Sequence, residues 1–508
     1  MGIDKDVVIG IDSSTTATKA VAWRRDGGLA GIGRGPTPLS SPASDRYEQD
    51  PEDWWRSTCE ALRGLFQQVE PGRVAAVAIS NQRETFVPLD GKGAAVRPAI
   101  VWLDQRCDKE VAWLTGKVGA ERIHRISGKP PDMAPVAYRI AWMLRWEPEL
   151  FRATRMFADV HAYLAWRFTG EFRTSWASAD PLGLFDMERK VWSGEVMGAL
   201  DLSPDRLPQT ASPGSVIGMV SDAAAAATGL LPGTLIVAGG GDGQAAGLGV
   251  NALTPWRAYL NLGTAVVSGT YSPDYRTDTA WRTMGSCSGE GYIYETSLRT
   301  GTFLVDWLAR QVCQAPAEDK EIYSRLEADA TKVPIGSQGL LTLPYWGAVM
   351  TPYWDPQARG CFAGLTASHR LGHIYRSILE GIALEQALVT GMIEQRTGVE
   401  VREFIAIGGG AASDLWCQIV ADACGKVVRR STTVEASSLG AGVCAAVGAG
   451  WFPGAPDAAE AMSGEITRET IPSPDSAARY SELLGIYREI YPQMRKVFSK
   501  LSQFAERG

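Results

Sequence analysis

The sequence predicts an α/β protein of two domains, each built on a mixed sheet, and three observations carry this. Short β-rich runs alternate with helical stretches along most of the chain. A strand, tight turn, strand unit near the start returns about half a chain later. The 508 residues, 45% of them hydrophobic, are enough for two large domains, each with its own core.

The elements follow in order. Val7-Val8-Ile9-Gly10-Ile11 is a β-rich run, Asp12 to Thr18 a polar turn, and Lys19 to Trp23 a second strand. Asp26-Gly27-Gly28 makes the next turn. Pro51-Glu52-Asp53 opens a helix with Asp50 as N-cap and Pro51 at its first position, and Trp54, Trp55, Thr58, Leu62 and Leu65 line one side. A strand over Arg73–Ile79 ends at Ser80-Asn81-Gln82-Arg83-Glu84. The apolar stretch from Ala223 to Gly241 is broken at Thr228, Gly229, Pro232 and Gly233, and reads as an alanine-rich helix, a turn and a strand over Thr234–Ala238. Ala258–Leu262, Gly263-Thr264 and Ala265–Gly269 form the second hairpin. Leu371–Met392 is a long helix, Glu403–Ile407 a strand, and Gly408-Gly409-Gly410 a turn into a helix from about Ser413. A last helix spans Ser438–Ala449. The boundary falls near Gly247–Trp256, giving domains 1–250 and 251–508.

Composition excludes several classes. Charged residues at 21% and 55 glycines suit an ordinary soluble enzyme. The formal net charge of −7 argues against nucleic acid as the main partner, because a phosphate-backbone binder presents a basic face. No segment reads as a membrane span. Asp4 and Asp6 lead straight into a strand, unlike a signal peptide, and Asp6 makes Gly2 a poor myristoylation site. Eight scattered cysteines without a CxxC pair suit the reducing cytoplasm. His369 and His373 have the spacing of a helical metal pair, but no HExxH accompanies them, and they read as surface or capping residues.

The turns carry the chemistry. Small residues and hydroxyls between Ser13 and Thr18 offer donors that can wrap a phosphate; an ordinary surface hairpin is the alternative. Asp12, at the strand end, suits Mg²⁺ held through water better than direct contact with phosphate. Gly263-Thr264 would make a second jaw of the same clamp, one per domain. Gly239-Gly240-Gly241 ends a strand and sets Asp242 where ligands of α/β sheets gather. Phosphoryl transfer needs a positioned base for the attacking hydroxyl, and Asp242 fits that role or that of a helix N-cap. Gly408 to Ser413 lets a ligand approach the backbone closely or is a plain glycine turn; it lacks the spacing of GxGxxG and the lysine of a Walker A loop. Asn81 to Glu84 and Trp102 to Arg106 combine an aromatic face with polar side chains, as a sugar requires, or make isolated salt bridges.

Taken in order, these motifs resemble the FGGY family of carbohydrate kinases. The resemblance spans Ile9 to about Gly450. It rests on Gly10-Ile11-Asp12-Ser13-Ser14-Thr15-Thr16, Ser80-Asn81-Gln82-Arg83-Glu84, Gly241-Asp242, Leu262-Gly263-Thr264, and Gly408-Gly409-Gly410-Ala411 with Trp416, Gln418, Ala421 and Asp422. It implies two actin-like (ribonuclease H-like) ATPase domains with an interdomain cleft. It implies ATP and Mg²⁺ as cofactors, a small sugar or polyol as substrate, and a homodimer among the assemblies to test. By the same resemblance Asp12 and Asp242 face the metal, with Asp242 the catalytic base. Ser14, Thr15, Thr16, Lys19, Gly263 and Thr264 face the phosphates. Gly408, Gly409, Gly410, Ala411 and Ser413 line the adenine pocket. Gln82, Arg83, Glu84, Trp102 and Asp104 lie near the sugar. One departure is Ser14, where the family usually has glycine, which asks for a different turn or for strain at Ser14.

Ser80–Glu84 and Ala99-Ile100-Val101-Trp102 look like glycerol kinases. Glu48 to Trp55, Thr351 to Gly360 and Leu379-Glu380-Gly381 look like xylulokinases. Glycerol kinases also follow the catalytic Asp with Gln, here Gly243, and the tyrosine they offer the substrate is replaced in the Asp132-Met133-Ala134 region. A pentulose, with D-xylulose first, is therefore expected ahead of glycerol or another polyol. A sugar-independent ATPase or a sugar sensor on the same fold is the reading from a different class.

Overall fold

The computed structural model describes residues 5–433 and 435–505, so the readings at Gly2 and Asp4 lie outside the described residues. Val7–Ser13 is apolar almost throughout and is covered on both faces, as befits a central strand. It pairs antiparallel with Ala17–Arg24, which pairs antiparallel with Leu29–Pro36. Helix Pro51–Leu65 then crosses over the sheet, and Val74–Asn81 returns parallel to Val7–Ser13. Leu235–Gly241 adds a further parallel strand, and Val216–Met219 closes that edge.

The second sheet repeats this order. Arg257–Leu262 sits centrally, flanked on one side by Val266–Ser272 and Tyr292–Leu298 and on the other by the parallel strands Glu403–Ile407 and Val427–Ser431. Arg282–Gly285 and Ile466–Thr470 form its edges. The helix Leu371–Thr397 supplies the crossover. Two sheets sharing a five-strand core order are the duplicated, ribonuclease H-like architecture that the paired hairpins predict. A third sheet of short strands, from Ser40–Ala43 through Arg46–Gln49, Ala99–Ile100 and Phe86–Leu89 to Met156–Asp159, has no counterpart in the sequence reading.

The local signals behave as their chemistry dictates. Asp50 accepts the Glu52 N–H at 2.9 Å and caps helix Pro51–Leu65, whose Trp54, Trp55, Thr58, Leu62 and Leu65 are buried. Each of its large apolar side chains contributes about 1.5–3 kcal/mol by leaving water. His373 Nδ1 accepts the N–H of the N-cap Arg370 at 3.2 Å and caps the start of Leu371–Thr397, while His369 Nδ1 accepts the Thr366 N–H at 2.8 Å and closes the preceding turn. That helix runs past Met392 because the first left-handed residue able to stop it is Gly398.

One helix departs from chain order. Ala436–Gly448 lies between two strands of the second sheet in sequence but packs on the first, where Leu439, Val443 and Cys444 join Val8, Val21, Ala76, Ala78 and Val237 in one core. Ser438 Oγ donates to the Gly10 carbonyl at 2.9 Å. The same helix crosses Asp242–Gly249 so closely that a Cβ on Gly440 would lie 1.8 Å from the Ala245 carbonyl oxygen. Among the described residues no helix is long and apolar enough to cross a membrane.

Candidate active site

Register brings the acidic groups to one end of the first sheet. Asp12 lies beside Ser80 and Ser80 beside Gly240; Ser13 lies beside Asn81 and Asn81 beside Gly241. The chain leaving these three parallel strands therefore carries Asp12, Gln82 to Glu84, and Asp242 into one region, the C-terminal strand ends where α/β sheets bind ligands. Burial, then the negative charge of Asp242, push the Asp12 carboxyl up to about 7, against the opposing pull of Lys19. An Asp12 carboxyl whose charge is disfavoured beside Asp242 forms with it an oxygen donor pair suited to a divalent cation.

The first hairpin turns over Ser14 to Ala17. Ser14 donates its N–H and its Oγ–H to the Ala17 carbonyl, at 3.0 and 2.7 Å, and is not among the residues with positive φ. Serine thus closes this turn by its own hydroxyl, without the strain that a glycine would relieve. Thr15 accepts the Trp102 indole N–H on Oγ1 at 2.9 Å. Thr16 is exposed beside it. Lys19 is committed elsewhere: its ammonium binds Glu435 at 2.6 Å, so in this conformation a carboxylate, and not a phosphate, takes its charge.

The second turn, at Gly263-Thr264, has its carbonyls tied back, Gly263 by the Thr302 N–H at 2.8 Å and Thr264 by the Gly301 N–H at 2.7 Å. Asn261 and Ile407 are register partners, so Gly408 to Ser413 leaves the sheet alongside it. Gly408 has φ +84°, and a Cβ there would lie 2.4 Å from Asn261 Oδ1, so both backbone shape and space demand glycine. Gly410 and Ala411 are buried, while Gly409 is exposed. Ser413 is the N-cap of Asp414–Cys424 and donates its hydroxyl to Glu327 at 2.7 Å, which leaves it a helix-start residue first.

The proposed sugar side divides. Arg83 and Glu84 belong to one buried charge network. Arg83 Nε approaches Asp242 Oδ1 at 3.1 Å and Arg83 Nη1 donates to Glu295 Oε2 at 2.7 Å. Arg282 donates to Glu295 Oε1 at 2.6 Å and to Glu84 Oε1 at 2.7 Å. Burial would raise the Glu295 carboxyl, but Arg282 and Arg83 outweigh it and hold it down at about 2. Glu84 is held with φ +50°, a conformation that costs a non-glycine residue energy and clusters at functional sites. Trp102 is 44% exposed and offers a flat face. Gln82 and Asp104, by contrast, turn inward. Gln82 donates to Gln49 at 2.9 Å, and the fully buried Asp104 accepts from Tyr47 N at 2.8 Å and from Arg106 at 2.7 Å. With its acceptor sites filled, Asp104 anchors the Trp102 loop instead of facing a ligand. Arg139 completes that anchor by donating to the Glu84 and Trp102 carbonyls at 3.0 and 2.9 Å.

Sequence reasoning passed over Glu295, Arg282, Lys129 and Asp180. The signal was present: Glu295 stands alone among β-formers in Tyr292–Leu298, and a lone charge at a buried strand position demands a partner. Lys129 and Asp180 pair at 3.5 Å next to this network, and burial lowers the Lys129 amine to about 8.

The comparisons agree with this geometry. The N-terminal domain of the FGGY family of carbohydrate kinases matches residues 7–249 and its C-terminal domain residues 258–449. The xylulose kinase of Bacillus subtilis is 28% identical over 98% of this chain and 99% of its own length. A gluconokinase of the same organism is 25% identical over 99% of this chain and 98% of its own length. The crystal structure of the xylulose kinase from Rhodospirillum rubrum superposes with a TM-score of 0.88 at 28% identity, covering 97% of this chain and 100% of that one. With both halves of the family matched, two sheets sharing a five-strand core order, and acidic residues gathered at one end of the first, the chain belongs to the FGGY family of carbohydrate kinases and is an ATP-dependent sugar kinase.

Proposed function

We propose that the chain moves the γ-phosphate of ATP onto a hydroxyl of a neutral ketopentose, with D-xylulose first. The observation that carries the neutral substrate is charge balance. Arg83, Arg282 and Lys129 are matched by Glu295, Glu84 and Asp180, and Asp242 adds one further carboxylate. An aldonate such as gluconate would bring a further negative charge to a network whose Arg83, Arg282 and Lys129 are already paired with carboxylates, whereas a polyhydroxyl chain finds donors, acceptors and the Trp102 face. Similarity over the full chain to xylulose kinases points the same way.

In this reading Asp242 accepts the hydroxyl proton. Its Oδ1 takes the Gly243 N–H at 2.7 Å and the nearest approach of Arg83, while Oδ2 accepts no hydrogen bond among the described residues. The two turns, Ser14 to Thr16 and Gly263-Thr264, face the phosphates, and Gly408 to Ala411 borders the adenine. Asp12 and Asp242 would hold Mg²⁺, which when bound neutralises charge on the phosphate oxygens. The pair of carboxylates fits an ion that keeps most of its waters and takes one or two protein carboxylates. Closure of the cleft excludes water that would otherwise accept the phosphoryl group. The eight free cysteines support a cytoplasmic setting.

An ADP-release assay with ATP and Mg²⁺ across D-xylulose, L-xylulose, ribulose, glycerol, erythritol and gluconate tests the substrate. Turnover on a pentulose is expected; selective turnover on gluconate would reject the charge argument, and on glycerol would favour the Ser80–Glu84 likeness. Asp242→Asn is expected to lower turnover by at least roughly 10²-fold with sugar affinity little changed. Near-normal turnover would remove Asp242 from the proton transfer.

A further inference from the structure

Five charged side chains form one line through the cleft: Asp242, Arg83, Glu295, Arg282 and Glu84. Asp242, Arg83 and Glu84 follow strands of the first sheet, whereas Arg282 and Glu295 belong to strands of the second. The links are short, and Glu295 at the centre has no exposed surface. Tyr259 donates its buried hydroxyl to the same Glu295 oxygen, Oε2, at 3.0 Å. A guanidinium is a rigid fork, so anchoring one edge fixes where the other points. Glu295 takes Nη1 of Arg83 and thereby holds the guanidinium in ion-pair range of Asp242, with Nε 3.1 Å from Oδ1.

The residue after Asp242 carries a second, independent mark of this arrangement. A Cβ on Gly243 would lie 3.0 Å from Arg83 Nη2 and 3.1 Å from Glu295 Oε2. A side chain there would press on the guanidinium and the carboxylate at the point where they meet, and both would have to give by a few tenths of an ångström.

We infer that Glu295, held by Arg282 and Tyr259, is a positioning residue for the phosphoryl transfer: it fixes Arg83 on Oδ1 of Asp242 and leaves Oδ2 turned to the substrate hydroxyl. Because Glu295 comes from the second sheet, this alignment exists only when the two halves of the site are together. The base is thus oriented by closure and slack when the cleft opens. The inference rests on Asp242 being the base.

The test is a double-mutant cycle on the full chain with the best sugar of the substrate panel. Glu295→Gln preserves size and removes the charge. It is expected to lower kcat by about 10²-fold, the scale of a misplaced catalytic group, while sugar KM moves by less than about threefold. In the Asp242→Asn background the same substitution is expected to change the residual turnover by less than about twofold, since there is no base left to orient. Gly243→Ala, which crowds the same contact from the helix side, is expected to reproduce the kcat loss and serves if Glu295→Gln folds poorly. Equal losses from Glu295→Gln in both backgrounds, or unchanged kcat in Glu295→Gln and Gly243→Ala, would overturn the inference. Full activity of Asp242→Asn alone would instead overturn the base assignment on which it rests.

Discussion

Glu385 is a carboxyl with every reason to be uncharged. It is buried, its Oε2 accepts the hydroxyls of Tyr345 at 2.8 Å and Tyr487 at 2.6 Å, and its Oε1 has no partner. Burial pushes it up to about 7, with the two tyrosines pulling the other way. The folded protein therefore binds a proton here that the unfolded chain releases near pH 4.5. Between those values stability falls as pH rises, by on the order of 3 kcal/mol in all. Glu385→Gln should remove that slope, so thermal melts from pH 5 to 8 should fall less in the variant; parallel curves would reject the assignment. At this scale the sequence told unevenly. That Asp12, Arg83, Glu84 and Asp242 gather at one place was legible because each lies at or just past a strand end beside a glycine or hydroxyl turn. That Asp104 turns inward to Tyr47 and Arg106 was not, since nothing in Trp102-Leu103-Asp104 says which side chain the loop buries. Lys19 looked free until Glu435, more than four hundred residues later, was seen beside it.

Elements were easier to read than their partners. Periodicity and capping gave the helices at Pro51–Leu65, Asp222–Thr228, Leu371–Thr397, Asp414–Cys424 and Ala436–Gly448 but passed over others, Pro474–Ala505 among them, and ends are set by residues such as Gly398 that no apolar pattern reports. The small strands of the third sheet escaped because two to four residues are too few to establish a period. Nor does a sequence say that helix Ala436–Gly448 leaves its own sheet for another, although the small residues along it, Gly440 and Gly442 among them, are what such a close crossing needs. Gly440→Ala tests that crossing. A methyl group 1.8 Å from the Ala245 carbonyl must push the helices apart. The expected result is a melting temperature lower by several degrees, as for a core overpacked by about 1–3 kcal/mol, together with weaker turnover, because Asp242 opens the helix being displaced. An unchanged melt would show that the crossing yields freely.

At the scale of the whole molecule, the duplication was legible from two hairpins, since strand, polar turn and strand recur with nothing else required. What could not be read was how the halves lean on each other. The Lys19–Glu435 and Arg83–Glu295 pairs and the helix Ala436–Gly448 all join residues far apart in the chain. That helix also bears on how the protein is made. The last strand of the first sheet is complete at Gly241, but its cover of Leu439, Val443 and Cys444 emerges from the ribosome about two hundred residues afterwards. At roughly 5–20 residues per second, the apolar face of Val8, Val21, Ala76, Ala78 and Val237 waits about 10–40 s for it. During synthesis the first half is therefore an unfinished surface that a chaperone can hold, and the kinase becomes two closed bodies only when its second half is nearly written.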